Sequence, residues 1–277
     1  MKDYLKPYSQ PGVTDEVLWI DEMPLWSAPF GLKLLEIVRM KRGISALDIG
    51  FGFGFPLIEI AARLGSDSRV VGIDPWDLGI KKTQEKLDLL GLKNVELIRG
   101  VAESIPLPDG TMDLITSNNG INNVTDIPKS LRECFRVARP GAQFVFTMNA
   151  DTTMMEFYSA LEQVLNENHM QAEVSAMKNH IYEKRKPATE IREWLIQTGF
   201  AVHRMLVDSF VFRYADGAAM LNHYFIRSGF LPAWVKLVPH DRLELVFDGV
   251  ERRLNAAAKK QGELLMTVPF LTFDCEK

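Results

Sequence analysis

The stretch Ala46-Leu-Asp-Ile-Gly-Phe-Gly-Phe-Gly54 restricts this chain to a short list of folds. Its first half is a β-forming run, and the three alternating glycines then let the backbone turn sharply and approach a ligand with no Cβ in the way. Pro56 opens a helical segment in which Leu57, Ile60, Ala61 and Leu64 share one face, and Gly65 ends it. Strand, glycine loop and helix, in that order, make the first unit of an α/β sheet whose ligands bind at the C-terminal ends of the strands.

The same unit recurs along the chain. Strand-like runs at 45–49, 69–73, 95–98, 112–117 and 143–148 alternate with helical patterns that include 77–90 and 129–138. Beyond Asn149, helices are expected at 152–168 and 187–198, and a strand runs through Phe212. Residues 215–261 read as mainly helical, and Leu264 to Phe273 returns to β character. The expected fold is therefore α/β: a Rossmann-like, seven-stranded, mostly parallel sheet with helices on both faces and a helical insertion near the C-terminus. Residues 1–277 read as a single domain. Within it, Trp19, Met23, Leu25 and Trp26 make 1–40 too apolar for a disordered tail, which leaves an N-terminal helical flap over a ligand or a helix packed on the sheet edge. Residues 43–150 form a cofactor-binding core, and 151–277 an acceptor-side half with a lid at 215–261.

Asp74 follows the last glycine of the loop, at the end of the second strand, where a carboxylate accepts both hydroxyl hydrogens of an adenosine ribose. A nicotinamide-dependent oxidoreductase also combines a glycine loop with a downstream acid. Its fingerprint, however, asks for glycine or alanine where this chain has Phe55 in one register and Leu57 in the other. Asp48 adds a carboxylate to the loop, which repels a pyrophosphate but suits a cationic amino group. S-adenosylmethionine has that amino group and no phosphate.

On these residues the chain resembles the class I methyltransferases, especially the subgroup of ubiquinone and menaquinone C-methyltransferases and small-molecule enzymes. The resemblance runs in order from about Gly43 to Met148: Leu47 to Gly54, Val70 to Asp74, Gly100-Val-Ala-Glu103 with Pro108 to Asp113, and Arg139 to Gln143. It implies S-adenosylmethionine as cofactor and in-line methyl transfer to a small molecule. By the same resemblance Gly50, Phe51, Gly52 and Gly54 lie along the methionine part and Asp74 holds the ribose. Pro75 and Trp76 would flank the adenine, with Ala102 and Glu103 on the adenine-side loop. Val101 stands where the family often has an acid, which removes one side-chain partner for the adenine amino group.

Ser117-Asn-Asn-Gly-Ile-Asn-Asn123 follows the fourth strand, at the edge where the reactive methyl belongs. Asn118 is assigned to the cofactor side and Asn119 and Asn122 to the acceptor, against the local alternative that asparagines simply stabilise turns. His223 is the one candidate for a base and a further acceptor contact, although a single histidine on a helix is more often structural or solvated. Tyr182, Arg213 and Tyr214 carry no motif, and the catalytic group is otherwise unassigned.

Five dispersed histidines and two distant cysteines, Cys134 and Cys275, show no metal-ligand spacing. A formal net charge of −4 disfavours nucleic acid as partner. With no apolar run long enough for a bilayer and no secretory leader, the expected location is the cytoplasm. A homo-oligomer is compatible with these features. A non-catalytic, S-adenosylmethionine-binding regulatory protein is the alternative from outside enzymology, because no base is legible.

Overall fold

The computed structural model describes Lys2, Tyr4, Leu5 and residues 25–277. Most of the expected flap, including Trp19 and Met23, lies outside the described residues. Strands β1 (Ser45–Ile49), β2 (Arg69–Asp74), β3 (Val95–Arg99), β4 (Met112–Asn118), β5 (Ala138–Asn149), β6 (Ala201–Tyr214) and β7 (Leu264–Glu276) build one seven-stranded sheet. Its order is β3-β2-β1-β4-β5-β7-β6. The pairs from β3 across to β5 are parallel, whereas β7 runs antiparallel to β5, with Gln143 opposite Glu276. This is the expected Rossmann-like, mostly parallel sheet.

Successive side chains of a strand point to opposite faces, and both faces of the inner strands β1, β2, β4 and β5 are covered, so these are buried along most of their length, whereas β3 and β6 at the sheet edges are not. Helices α1 (Ser27–Ile37) and α2 (Leu57–Leu64) cover one face: Leu34, Leu57, Ile60 and Leu64 pack with Ala46, Val70, Leu114 and Val145. After α3 (Asp77–Leu90), helix α4 (Ile127–Val137) lies on the other face. There Leu131, Cys134 and Val137 pack with Leu47, Ile49, Val71, Ile73 and Ile115. The chain leaves β1 towards β2 and returns on the far side of β1 as β4. That reversal opens a crevice at the C-terminal ends of β1 and β4.

The chain folds into two compact units. One comprises Pro24–Ala150, Lys184–Asp208 and Pro269–Lys277, and contains both apolar clusters of the sheet together with helix α7 (Ala188–Thr198). The other comprises Asp151–Glu183 and Ser209–Val268, with Tyr4 and Leu5. Its helices are α5 (Met155–Glu167), α6 (Gln171–Lys184), α8 (Gly217–Asn222), α9 (Tyr224–Gly229), α10 (Leu231–Trp234) and α11 (Leu243–Gln261). Helix α11 packs along α5 and α8. Phe157 stacks on Trp234, whose Nε1 donates to the Tyr158 hydroxyl at 3.0 Å. The expected helical stretch 215–261 is thus α8 to α11.

Two expectations are corrected. Helix α6 has no counterpart in the sequence reading, because only Val174 and Met177 are buried along it and its apolar period is faint. Strand β5 starts at Ala138 rather than Gln143, and α4 stops at Val137: Ala138 pairs with Met112 before a register shift brings Gln143 opposite Leu114.

Candidate functional site

The glycine loop leaves β1 at the crevice. Gly50, Gly52 and Gly54 all have positive φ, at 72°, 53° and 98°, which L side chains rarely adopt. Their surroundings differ. A Cβ on Gly50 would lie 2.8 Å from the Gly120 Cα, so the loop after β1 and the loop after β4 touch backbone to backbone. A Cβ on Gly52 would meet nothing within 4 Å, so the loop presents open space there. Gly79, in the first turn of α3, closes in from the other side, since its Cβ would sit 2.6 Å from the Gly52 carbonyl oxygen. The Phe51 side chain points away into the apolar cluster under α2.

Asp74 ties the loop down. Its Oδ2 accepts from the Gly52 N–H and its Oδ1 from the Trp76 N–H, both at 2.9 Å. Burial pushes its carboxyl above the usual range, while the two N–H donors pull it back. A carboxylate offers about four lone-pair sites, so two remain after these bonds. Pro75 is exposed, and the half-buried Trp76 ring meets Phe53 edge-on at 4.5 Å.

Asp48 lies buried at the end of β1. Thr116 Oγ1 donates to its Oδ1 at 2.6 Å, while its Oδ2 is buried with no partner. Burial, with repulsion from Asp74, pushes its carboxyl up to about 7 against the Thr116 bond. A buried, partly unpartnered carboxyl beside an open glycine loop fits a cationic group and opposes a pyrophosphate.

The loop after β4 is a network of amides. Asn118 donates to the Ser27 carbonyl and accepts from Thr147 Oγ1. Asn119 has φ 59° and its Oδ1 accepts from the Asn149 N–H and from Asn122 Nδ2, both at 3.0 Å. Asn122 Nδ2 also donates to Asn149 Oδ1, and Asn123 Nδ2 to the Asn119 carbonyl. Asn119 Nδ2 and Asn122 Oδ1 remain buried without partners. Leaving one such atom unsatisfied costs about 1–3 kcal/mol.

One unit therefore brings together Asp48, the three glycines, Asp74, Trp76 and the asparagines. Ala102 is buried in the core beneath β2, which leaves its backbone for contact. The Glu103 carboxylate accepts from the Thr125 and Asp126 N–H groups. His223 belongs to the other unit. There its Nδ1 accepts from the Phe225 N–H and caps α9, and burial lowers its pKa, which keeps the ring neutral at pH 7. Sequence reasoning missed Thr116, Thr147, Asn149 and Gly120. Their common signal was available: small or polar residues at the C-terminal ends of otherwise apolar strands. Among the described residues no group of three or more His, Cys, Asp or Glu side chains forms a metal site.

A model of the ubiE/COQ5 methyltransferase family matches residues 9–182. The chain is 36% identical over 109 residues to a demethylmenaquinone methyltransferase of Listeria welshimeri, covering 39% of this chain and 46% of that protein. It is 34% identical over 123 residues to one of Bacillus mycoides, covering 44% and 52%. The chain thus spans about half the length of the curated relatives it matches. In fold it is similar to the YcgJ protein of Bacillus subtilis, with a TM-score of 0.56, 16% identity, and 90% and 98% of the two chains covered. It is likewise similar to a geranyl diphosphate methyltransferase solved with S-adenosylmethionine, with a TM-score of 0.56, 15% identity, and 99% and 95% covered.

Proposed function

The chain belongs to the ubiE/COQ5 methyltransferase family, and on that footing we propose that it transfers a methyl group from S-adenosylmethionine to a small acceptor of the hydroquinone class. The observation that carries the donor assignment is Asp74, which holds the glycine loop through Gly52 and keeps lone pairs for the two ribose hydroxyls. When bound, S-adenosylmethionine supplies a methyl group already activated on a sulfonium sulfur.

The residues around it have separate tasks. Gly52 leaves room for the methionine part, with Gly50 and Gly54 shaping the loop. Asp48 supplies a buried carboxyl that a bound cationic amino group would draw into its ionised form, Trp76 a flank for the adenine, and Asn118 a hydrogen-bonded edge at the end of β4. Transfer from a sulfonium is an in-line displacement, so the enzyme's contribution is alignment and exclusion of water. The acceptor class rests on the name of the curated relatives. In this reading residues 43–150 serve the donor, and Asn119 and Asn122 within them face the acceptor.

Further features support a cytoplasmic, small-molecule enzyme. Cys134 and Cys275 are free and buried, as suits a reducing compartment. No helix of the described residues is long and apolar enough to cross a membrane. The net charge of −4 argues against a nucleic-acid substrate. The test is release of S-adenosylhomocysteine across a panel of hydroquinones. Turnover is expected with the wild-type chain and none with Asp74→Ala; donor binding without turnover on any acceptor would favour a regulatory role instead.

A further inference from the structure

We propose that Asn119 and Asn122 recognise one hydroxyl of the acceptor in its neutral, protonated form. The inference rests on the methyl-transfer reading above and deepens it, by naming the side chains that select the acceptor and the protonation state they select.

Two side-chain amides facing each other can make two hydrogen bonds. Here one is made, from Asn122 Nδ2 to Asn119 Oδ1 at 3.0 Å, and the other donor and acceptor are left over. The remainder is the Asn119 Nδ2 group with both its hydrogens and the Asn122 Oδ1 oxygen, both buried and unpartnered, so donors and an acceptor stand unused side by side. A group that accepts and donates at one oxygen matches this pair, which describes a hydroxyl. A phenolate or carboxylate would turn a lone pair towards Asn122 Oδ1, and an ammonium would turn a hydrogen towards Asn119 Nδ2. Each leaves one amide atom opposed as well as unsatisfied, so ions of either sign are rejected.

The pair is held in place before any ligand arrives. Asn119 is 9% exposed, its N–H donates to the Thr147 carbonyl, and its Oδ1 also accepts from the Asn149 N–H. Asn123 Nδ2 bonds the Asn119 carbonyl, and Asn122 Nδ2 spends its second hydrogen on Asn149. Gly120, between the two asparagines, is the residue that touches Gly50 of the donor loop. The hydroxyl subsite therefore borders the glycine loop within one compact unit.

Calorimetry tests this with 1,4-naphthohydroquinone, kept reduced, and with its dimethyl ether, which accepts hydrogen bonds but donates none. Both are titrated with and without saturating S-adenosylhomocysteine. The hydroquinone should bind, and the ether about tenfold or more weaker. Asn119→Asp keeps the oxygen that Asn122 and Asn149 use but loses the donor, and should weaken the hydroquinone about tenfold while shifting S-adenosylhomocysteine affinity by less than about twofold. Asn122→Ser gives a second variant, with thermal melts reporting folding of both. Equal binding of hydroquinone and ether, no hydroquinone binding to wild type, or unchanged hydroquinone binding in the variants would overturn the proposal. So would weaker S-adenosylhomocysteine binding in the variants, since the pair would then serve the donor. Failure of wild type to bind S-adenosylhomocysteine counts against the methyl-donor reading alone, and the hydroquinone titration without it still decides the subsite.

Discussion

The Asp48 carboxyl, raised to about 7 by burial, makes both stability and donor binding depend on pH. Its pKa in the fold lies above the ordinary carboxylate value of 3.8, so its contribution to stability is full below that value and is lost as pH rises through about 7. Asp48→Asn removes the penalty. The variant should melt higher than wild type at about pH 8 and close to it at about pH 4, a comparison read from thermal melts. A cationic amino group nearby favours the ionised form, so wild-type affinity for S-adenosylhomocysteine should rise from about pH 6 to about pH 8 and be flatter in Asp48→Asn. Asp74→Ala removes the carboxylate that bonds Gly52 and Trp76, and should weaken donor binding about a hundredfold by calorimetry. These two acids were legible because each sits beside a readable strand end. Thr116, Thr147 and Asn149 carry only a fainter mark, a polar residue near the C-terminal end of an apolar strand, and they join the site only when β1, β4 and β5 lie side by side.

Elements meet at glycines, and two of these separate close approach from backbone strain. Gly120 has no room: a Cβ there would sit 2.4 Å from the Ile49 carbonyl oxygen and 2.5 Å from Ser117 Oγ. Gly43 has φ 70° and nothing within 4 Å, so only strain opposes a side chain. Denaturant unfolding should show Gly120→Ala losing about 2–3 kcal/mol and Gly43→Ala about 1 kcal/mol. In α9, His223→Ala removes the Nδ1 that caps the Phe225 N–H, and should cost about 1 kcal/mol in the same measurement. Elements with a strong period, such as α2 and α4, could be read from the chain directly. Helix α6 could not, since a helix that buries only Val174 and Met177 leaves almost no periodic trace.

For the whole molecule, alternation of strands and helices to Asn149 carried the parallel sheet, and the helical content of 215–261 carried the second unit's secondary structure. The division into units was not readable. Its boundaries at Asp208 and Val268 fall inside β6 and β7, where no linker composition marks a change. At this scale the decisive question is which nucleotide the crevice between β1 and β4 accepts. Isothermal calorimetry with S-adenosylhomocysteine and with NAD on the same wild-type preparation answers it. Binding of S-adenosylhomocysteine, lost in Asp74→Ala, with no heat from NAD, is the predicted result; saturable NAD binding that Asp74→Ala abolishes would contradict the donor assignment.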